Sequence, residues 1–149
     1  MNESNPDKTI KTPWHLWLIG IVGLLWSAMG AMDYVMTQTA NEAYMANFTQ
    51  AQLDFFYGLP ALIISAWAIA VWGGVLGCIF LLLRKGTAVP LFLVSFIAMV
   101  ITAIHNYGLS NGLEVIGDTF SLVFSAIIFL VALGLYLYAR SMKQKGVLK

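Results

Sequence analysis

Asp33 is the one acidic side chain whose position local structure leaves unexplained, so a search for chemistry starts there. It sits in Gly30-Ala31-Met32-Asp33-Tyr34-Val35-Met36, near the end of a long apolar run. At about 1.5 Å per helical residue, counted from Trp14, it lies roughly 30 Å along the helix and so close to a membrane boundary. A helix carries partial negative charge at its C-terminal end, so a carboxylate there is poorly placed. His105, in Ile104-His105-Asn106-Tyr107-Gly108, closes another apolar run that returns to the same membrane face. A cation is favoured at such an end, and an Asp33–His105 pair would relieve both groups. With Tyr34, Thr37, Gln38, Asn106, Tyr107, Glu114 and Asp118, this pair would form an outward-facing polar pocket for a small solute. Asp54 and Asp118 read instead as acids at helix N-termini, stabilised by the dipole or acting as caps. The competing reading is a solvated rim, because polar residues gather wherever a span ends.

Other chemistries find less support. His105, Asp33, Glu114 and Asp118 are metal-ligand types, but no fixed ligand spacing links them. Met29, Met32 and Met36 fall on roughly one helix face, where thioethers more often fill gaps than bind a soft metal. Cys78 lies deep in an apolar run with no His near it in sequence, and no serine occupies a nucleophile elbow. There is no phosphate-binding loop or dinucleotide fingerprint. The expectation is a protein without catalytic residues, resident cofactor or metal.

The elements that position these residues are membrane spans. Among 149 residues, 60% are hydrophobic and 10% charged, against roughly 25% charged in a soluble domain. With a mean hydropathy of +0.81, the composition excludes a soluble globular domain. A single cysteine and a net charge of +1 exclude a disulfide scaffold and a nucleic-acid binder. Four runs, near 14–36, 59–83, 88–107 and 119–139, are long enough to cross a hydrocarbon core of about 30 Å. The chain is expected to be one all-α membrane domain, a four-helix antiparallel bundle with short helices in the first outer loop, residues 37–58. Lys8 and Lys11 precede span 1, Arg84 and Lys85 join spans 2 and 3, and Arg140, Lys143, Lys145 and Lys149 follow span 4 in a basic tail, 140–149. Asp33, Glu42, Asp54, Glu114 and Asp118 hold or border the other loops. By the positive-inside rule both termini are cytoplasmic. Lys8, Lys11 and Ala28-Met29-Gly30 faintly resemble a cleaved leader, but the apolar run continues through Met36 and reads as a span.

Within the first outer loop, Thr39-Ala40-Asn41-Glu42 and Thr49-Gln50-Ala51-Gln52 both read as capping boxes. In a continuous helix Tyr44, Phe48, Ala51 and Phe55 would share a face. Pro60 either opens span 2 or kinks a helix begun near Thr49, and Pro90 falls in the first turn of span 3. Small residues four apart, Gly23/Ser27/Ala31, Ala66/Ala70/Gly74 and Gly73/Gly77, allow close helix approach, either within the chain or toward a partner. Trp14 and Trp17 read as interfacial anchors, and Trp26, Trp67 and Trp72 as packed side chains.

The segments Gly30-Ala31-Met32-Asp33-Tyr34-Val35-Met36-Thr37, Trp72-Gly73-Gly74-Val75-Leu76-Gly77 and Leu82-Leu83-Arg84-Lys85, together with the aromatic loop, resemble a family of small four-span bacterial inner-membrane proteins. Members often carry the automatic label "sugar transporter", and the likeness covers most of the chain. It implies a multi-pass inner-membrane protein. Semi-SWEET sugar carriers differ in having three spans and a Pro-Gln motif. Small multidrug exporters differ in placing an acid at the middle of span 1. Two functions are expected on these grounds: an accessory or scaffold partner of a larger membrane complex, or a small-solute transporter component acting as a homo-oligomer. The bilayer is the expected surrounding in both, and nucleic acid in neither.

Overall fold

The computed structural model describes residues 11–110 and 112–149, so the expectation for Lys8 lies outside it. In chain order the helices are α1 (Trp14–Gln38), α2 (Glu42–Met45), α3 (Gln50–Tyr57), α4 (Ala61–Leu82), α5 (Ala88–Ile104), α6 (Gly112–Ile116) and α7 (Thr119–Gln144). A single π turn, His105–Leu109, extends α5. No strand occurs among the described residues. Four helical stretches are long and apolar enough to cross a membrane: α1, α4, α5 with its π turn, and α7. A helix suits such sequences because it satisfies its backbone hydrogen bonds internally.

Helix boundaries follow from local chemistry. Pro60 precedes α4 with φ −60° and ψ 149°, and the chain breaks between α3 and α4, so Pro60 opens span 2 rather than kinking a longer helix. Thr49 and Gln52 form the expected capping box on α3. The expected box at Thr39 does not form. Asn41 is the cap, accepting from the Tyr44 amide at 3.1 Å, while Thr39 closes α1 and its hydroxyl donates back to the Val35 carbonyl. Asx side chains cap as well as hydroxyls do, and the turn after α1 leaves Asn41 in the extended conformation a cap needs. The loop is therefore two helices, and the Tyr44–Phe55 face is interrupted between Ala46 and Thr49.

The ends of α1 and α4 reverse in the same way. Ala40 (φ 52°) and Arg84 (φ 57°) are left-handed, and the amides of Asn41 and Lys85 reach back to the carbonyls of Met36 and Phe80 at 3.0 and 2.9 Å. This is the reversal that glycine usually makes. After α7, Gly146 (φ 79°) does the same, which turns Val147 and Leu148 inward. Both are buried, and Lys149 exchanges backbone hydrogen bonds with Arg84 and Gly86, each 3.0 Å. Residues 140–149, the basic tail of the sequence, comprise the end of α7 and a segment clipped to the α4–α5 turn, with Arg140, Lys143, Lys145 and Lys149 exposed.

Helix α4 packs on α1 and α5, and α7 packs on α5. The small residues enable this approach. A Cβ on Gly77 would stand 2.6 Å from the Phe92 ring, one on Gly73 3.0 Å from Ser95 Cβ, and one on Gly74 3.2 Å from Ser27 Oγ. The main core, centred on Leu16, Cys78, Leu81, Phe92, Ala139 and Met142, lies where α1 begins, α4 ends and α7 ends. Arg84 ties this region together by donating to the Thr12 hydroxyl at 2.9 Å.

Candidate functional site

The four long helices do not fill the space between them. A cavity of about 530 Å³ lies among α1, α4, α5 and α7, with α2 at one end. It exists because the facing residues are small, among them Ser27, Gly30, Ala70, Gly74, Ala103 and Ala132. Rings from Trp26, Trp67, Phe92, Phe124 and Phe129 shape its walls. Asp33, Tyr44, Asn106 and Tyr107 gather at the end reached by the last turns of α1 and α5. On one side the lining residues Met29 and Met32 of α1 and Phe124 of α7 are themselves exposed, so the cavity opens laterally between these two helices, while Phe129 packs on Phe96 of α5. There α1 meets α7 through side chains, with the Trp26 and Phe124 rings 5.8 Å apart.

Most polar groups in this space already have partners. Ser95 donates to the Ala70 carbonyl at 2.5 Å and Thr102 to the Ala98 carbonyl at 2.9 Å. Tyr107 and Ser125 share a 2.7 Å hydrogen bond that ties the π turn to α7. Ser27 Oγ lies 3.9 Å from Cys78 Sγ. Asp33 is half-buried, and its carboxylate accepts a hydrogen bond from the Tyr44 hydroxyl. Burial, reinforced by this carboxylate, pushes the Tyr44 phenol up from 10.0 to about 12. Among the described residues no buried side-chain polar atom lacks a partner.

The structure divides the residues singled out from sequence. Asp33, Asn106 and Tyr107 line one cavity. His105 does not join them: it lines a separate cleft of about 490 Å³ with Asp54, Phe55, Pro60 and Ser110, and its Nδ1 is 3.3 Å from Asn106 Oδ1. The expected Asp33–His105 pair is replaced by Asp33–Tyr44. On α5 and its π turn the cavity is lined by Ser95, Met99, Thr102, Ala103 and Asn106, a face repeating every three or four residues, and His105, one residue before Asn106, falls about 100° off it. Tyr34 packs edge-on to Trp67, ring centroids 5.0 Å apart. Glu114 is exposed on α6. Asp118 caps α7, and the hydroxyl and amide of Ser121 hold its carboxyl below the usual range. Asp54 stands inside α3, accepting from Gln50 at 2.9 Å, rather than at its start. Trp72, expected to be packed, is exposed. No three of the metal-ligating acids, histidines or cysteine converge among the described residues.

Sequence reasoning missed Tyr44 as the partner of Asp33, the hydroxyls of Ser27, Ser95, Thr102 and Ser125 inside the spans, and the hydrogen bond between His15 and Tyr138. The hydroxyls were visible as isolated polar residues in apolar runs. Nothing local marked Tyr44. No family model, curated protein or solved structure matches the chain.

Proposed function

We propose that this protein is a multi-pass inner-membrane protein that takes a small amphiphilic molecule into the cavity between its spans, as a carrier or a component of one. In this reading the four spans are an antiparallel bundle with both termini cytoplasmic. Asp33 and the cavity's polar end then lie toward the outer face. The cavity of about 530 Å³ carries the proposal, because such a volume is within the range of ligand pockets and its polar groups are gathered at one end. The small-residue stripes are occupied inside the chain: Gly74 faces Ser27, and Gly73 and Gly77 face α5. Among the described residues no nucleophile with an adjacent base lines the space, and the role proposed is binding and passage.

A second reading, an accessory or scaffold partner of a larger membrane complex, draws on the first half of α7, where Phe120, Val123, Ile127 and Leu130 are exposed. Native mass spectrometry after mild-detergent extraction separates the two. The proposal expects monomer or homo-oligomer carrying a small molecule, and loss of that mass in Ala132→Phe, which fills the cavity. A stoichiometric larger protein with no small molecule retained would replace it with the scaffold reading.

A further inference from the structure

We infer that the cavity selects a lipophilic monocation: a compact apolar or aromatic body with one positive charge held against Asp33. This rests on the binding role proposed for the cavity and adds the ligand class.

Charge gives the first reason. Among the described residues Asp33 is the only acid lining the space, and no Lys, Arg or His lines it. Its carboxylate has a phenol, Tyr44, for a partner. The terminal turns of α1 and α5 both reach this end of the cavity, and helix C-termini add partial negative charge there. An anion would be repelled, and a neutral apolar ligand would further desolvate Asp33 without replacing the lost hydration. A cation resolves both.

The walls give the second. Trp26, Trp67, Tyr44 and Tyr107 line the same cavity as the carboxylate, and aromatic faces attract a cation that has shed water. A polyhydroxylated solute fits poorly, since Ser95, Thr102, Tyr107 and Ser125 already spend their hydroxyls on one another or on backbone carbonyls. Away from Asp33 and Asn106, sugar hydroxyls would meet apolar wall instead.

The opening gives the third. It lies between α1 and α7, framed by exposed Met29, Met32 and Phe124, and both helices are apolar enough to face lipid. A ligand entering there comes from the bilayer, which requires a molecule soluble in it.

The test is equilibrium binding to the full chain in lipid nanodiscs. Three probes of similar size and different charge are compared: tetraphenylphosphonium, triphenylphosphine oxide and tetraphenylborate. Binding to Ala132→Phe is subtracted as lipid background. The expected result is phosphonium binding about tenfold or more tighter than the neutral oxide, the scale of one charged contact, with no specific borate binding. Asp33→Asn should erase that preference, weakening the phosphonium and not the oxide, and Asp33→Glu should keep it. Equal binding of cation and neutral probe by the native protein overturns the charge selection and leaves the cavity reading intact. No difference between native protein and Ala132→Phe for any probe overturns the cavity reading itself. The native-protein comparison decides even if Asp33→Asn fails to fold.

Discussion

The region around Leu81 and the region around Asp33 are built from the same four helices, yet one is filled and the other hollow. Around Leu81, the α4–α5 turn is short, the chain after α7 folds back onto it, and Leu16, Cys78, Leu81 and Ala139 are fully buried. Around Asp33, the connections are long, α2, α3 and α6 occupy them, and α7 stands away from α1. The buried residues of α7, Leu135, Ala139 and Met142, all fall in its second half, while Phe120 near its start is 77% exposed. The contrast teaches that apolar sequence alone does not make a core. Facing residues must also match in volume, and near Asp33 alanines and glycines face each other across a gap.

The largest effect expected from this contrast is a truncation pair. Leu81→Ala should cost about 3 kcal/mol, the usual range for a fully buried leucine, and Phe120→Ala under about 0.5 kcal/mol. Thermal unfolding in detergent reads both. Equal losses would mean that the two regions are packed alike. Next is a glycine pair. Gly77→Ala should cost about 2 kcal/mol, because its Cβ meets the buried Phe92 ring at 2.6 Å and overpacking is expensive. Gly134→Ala has open space around it and should gain about 0.5 kcal/mol from helix propensity. The smallest effect is on pH dependence. The Tyr44 phenol is held above its ordinary value, at about 12 rather than 10.0, so its contribution is complete below pH 10 and declines as pH rises from 10 to 12. Hydrogen exchange in α2 and α3 should accelerate over that interval, and in Tyr44→Phe this step should be absent.

The spans were legible in the sequence because uncharged length is a direct physical requirement of the bilayer. Helix starts at Thr49, Pro60 and Asp118 were legible from cap chemistry, though Thr39 and Asn41 competed and only the backbone turn decided between them. The glycine stripes were legible as close-approach surfaces. The partner of Asp33 was not: depth along the span suggested His105, but its azimuth lies about 100° from the face of Asn106, and Tyr44 comes from a different element. The cavity was least legible of all. It is a property of what four helices leave between them, and single residues such as Ala103 and Ala132 are ordinary within any one span.

The π turn also bears on which length changes the chain tolerates. Removing one residue within 105–109 would return that turn to the spacing of α5, a repair of the helix in local terms. The π turn carries one residue more than an α turn between the same hydrogen-bonded ends, so the loss is absorbed within the turn and the chain beyond keeps its place. A one-residue deletion here is therefore expected to keep α6 against α3, whereas the same deletion within α5 would rotate everything beyond it by about 100° and retract it by about 1.5 Å. Deletion scanning along residues 88–109, read by thermal unfolding, should accordingly find 105–109 the most tolerant stretch.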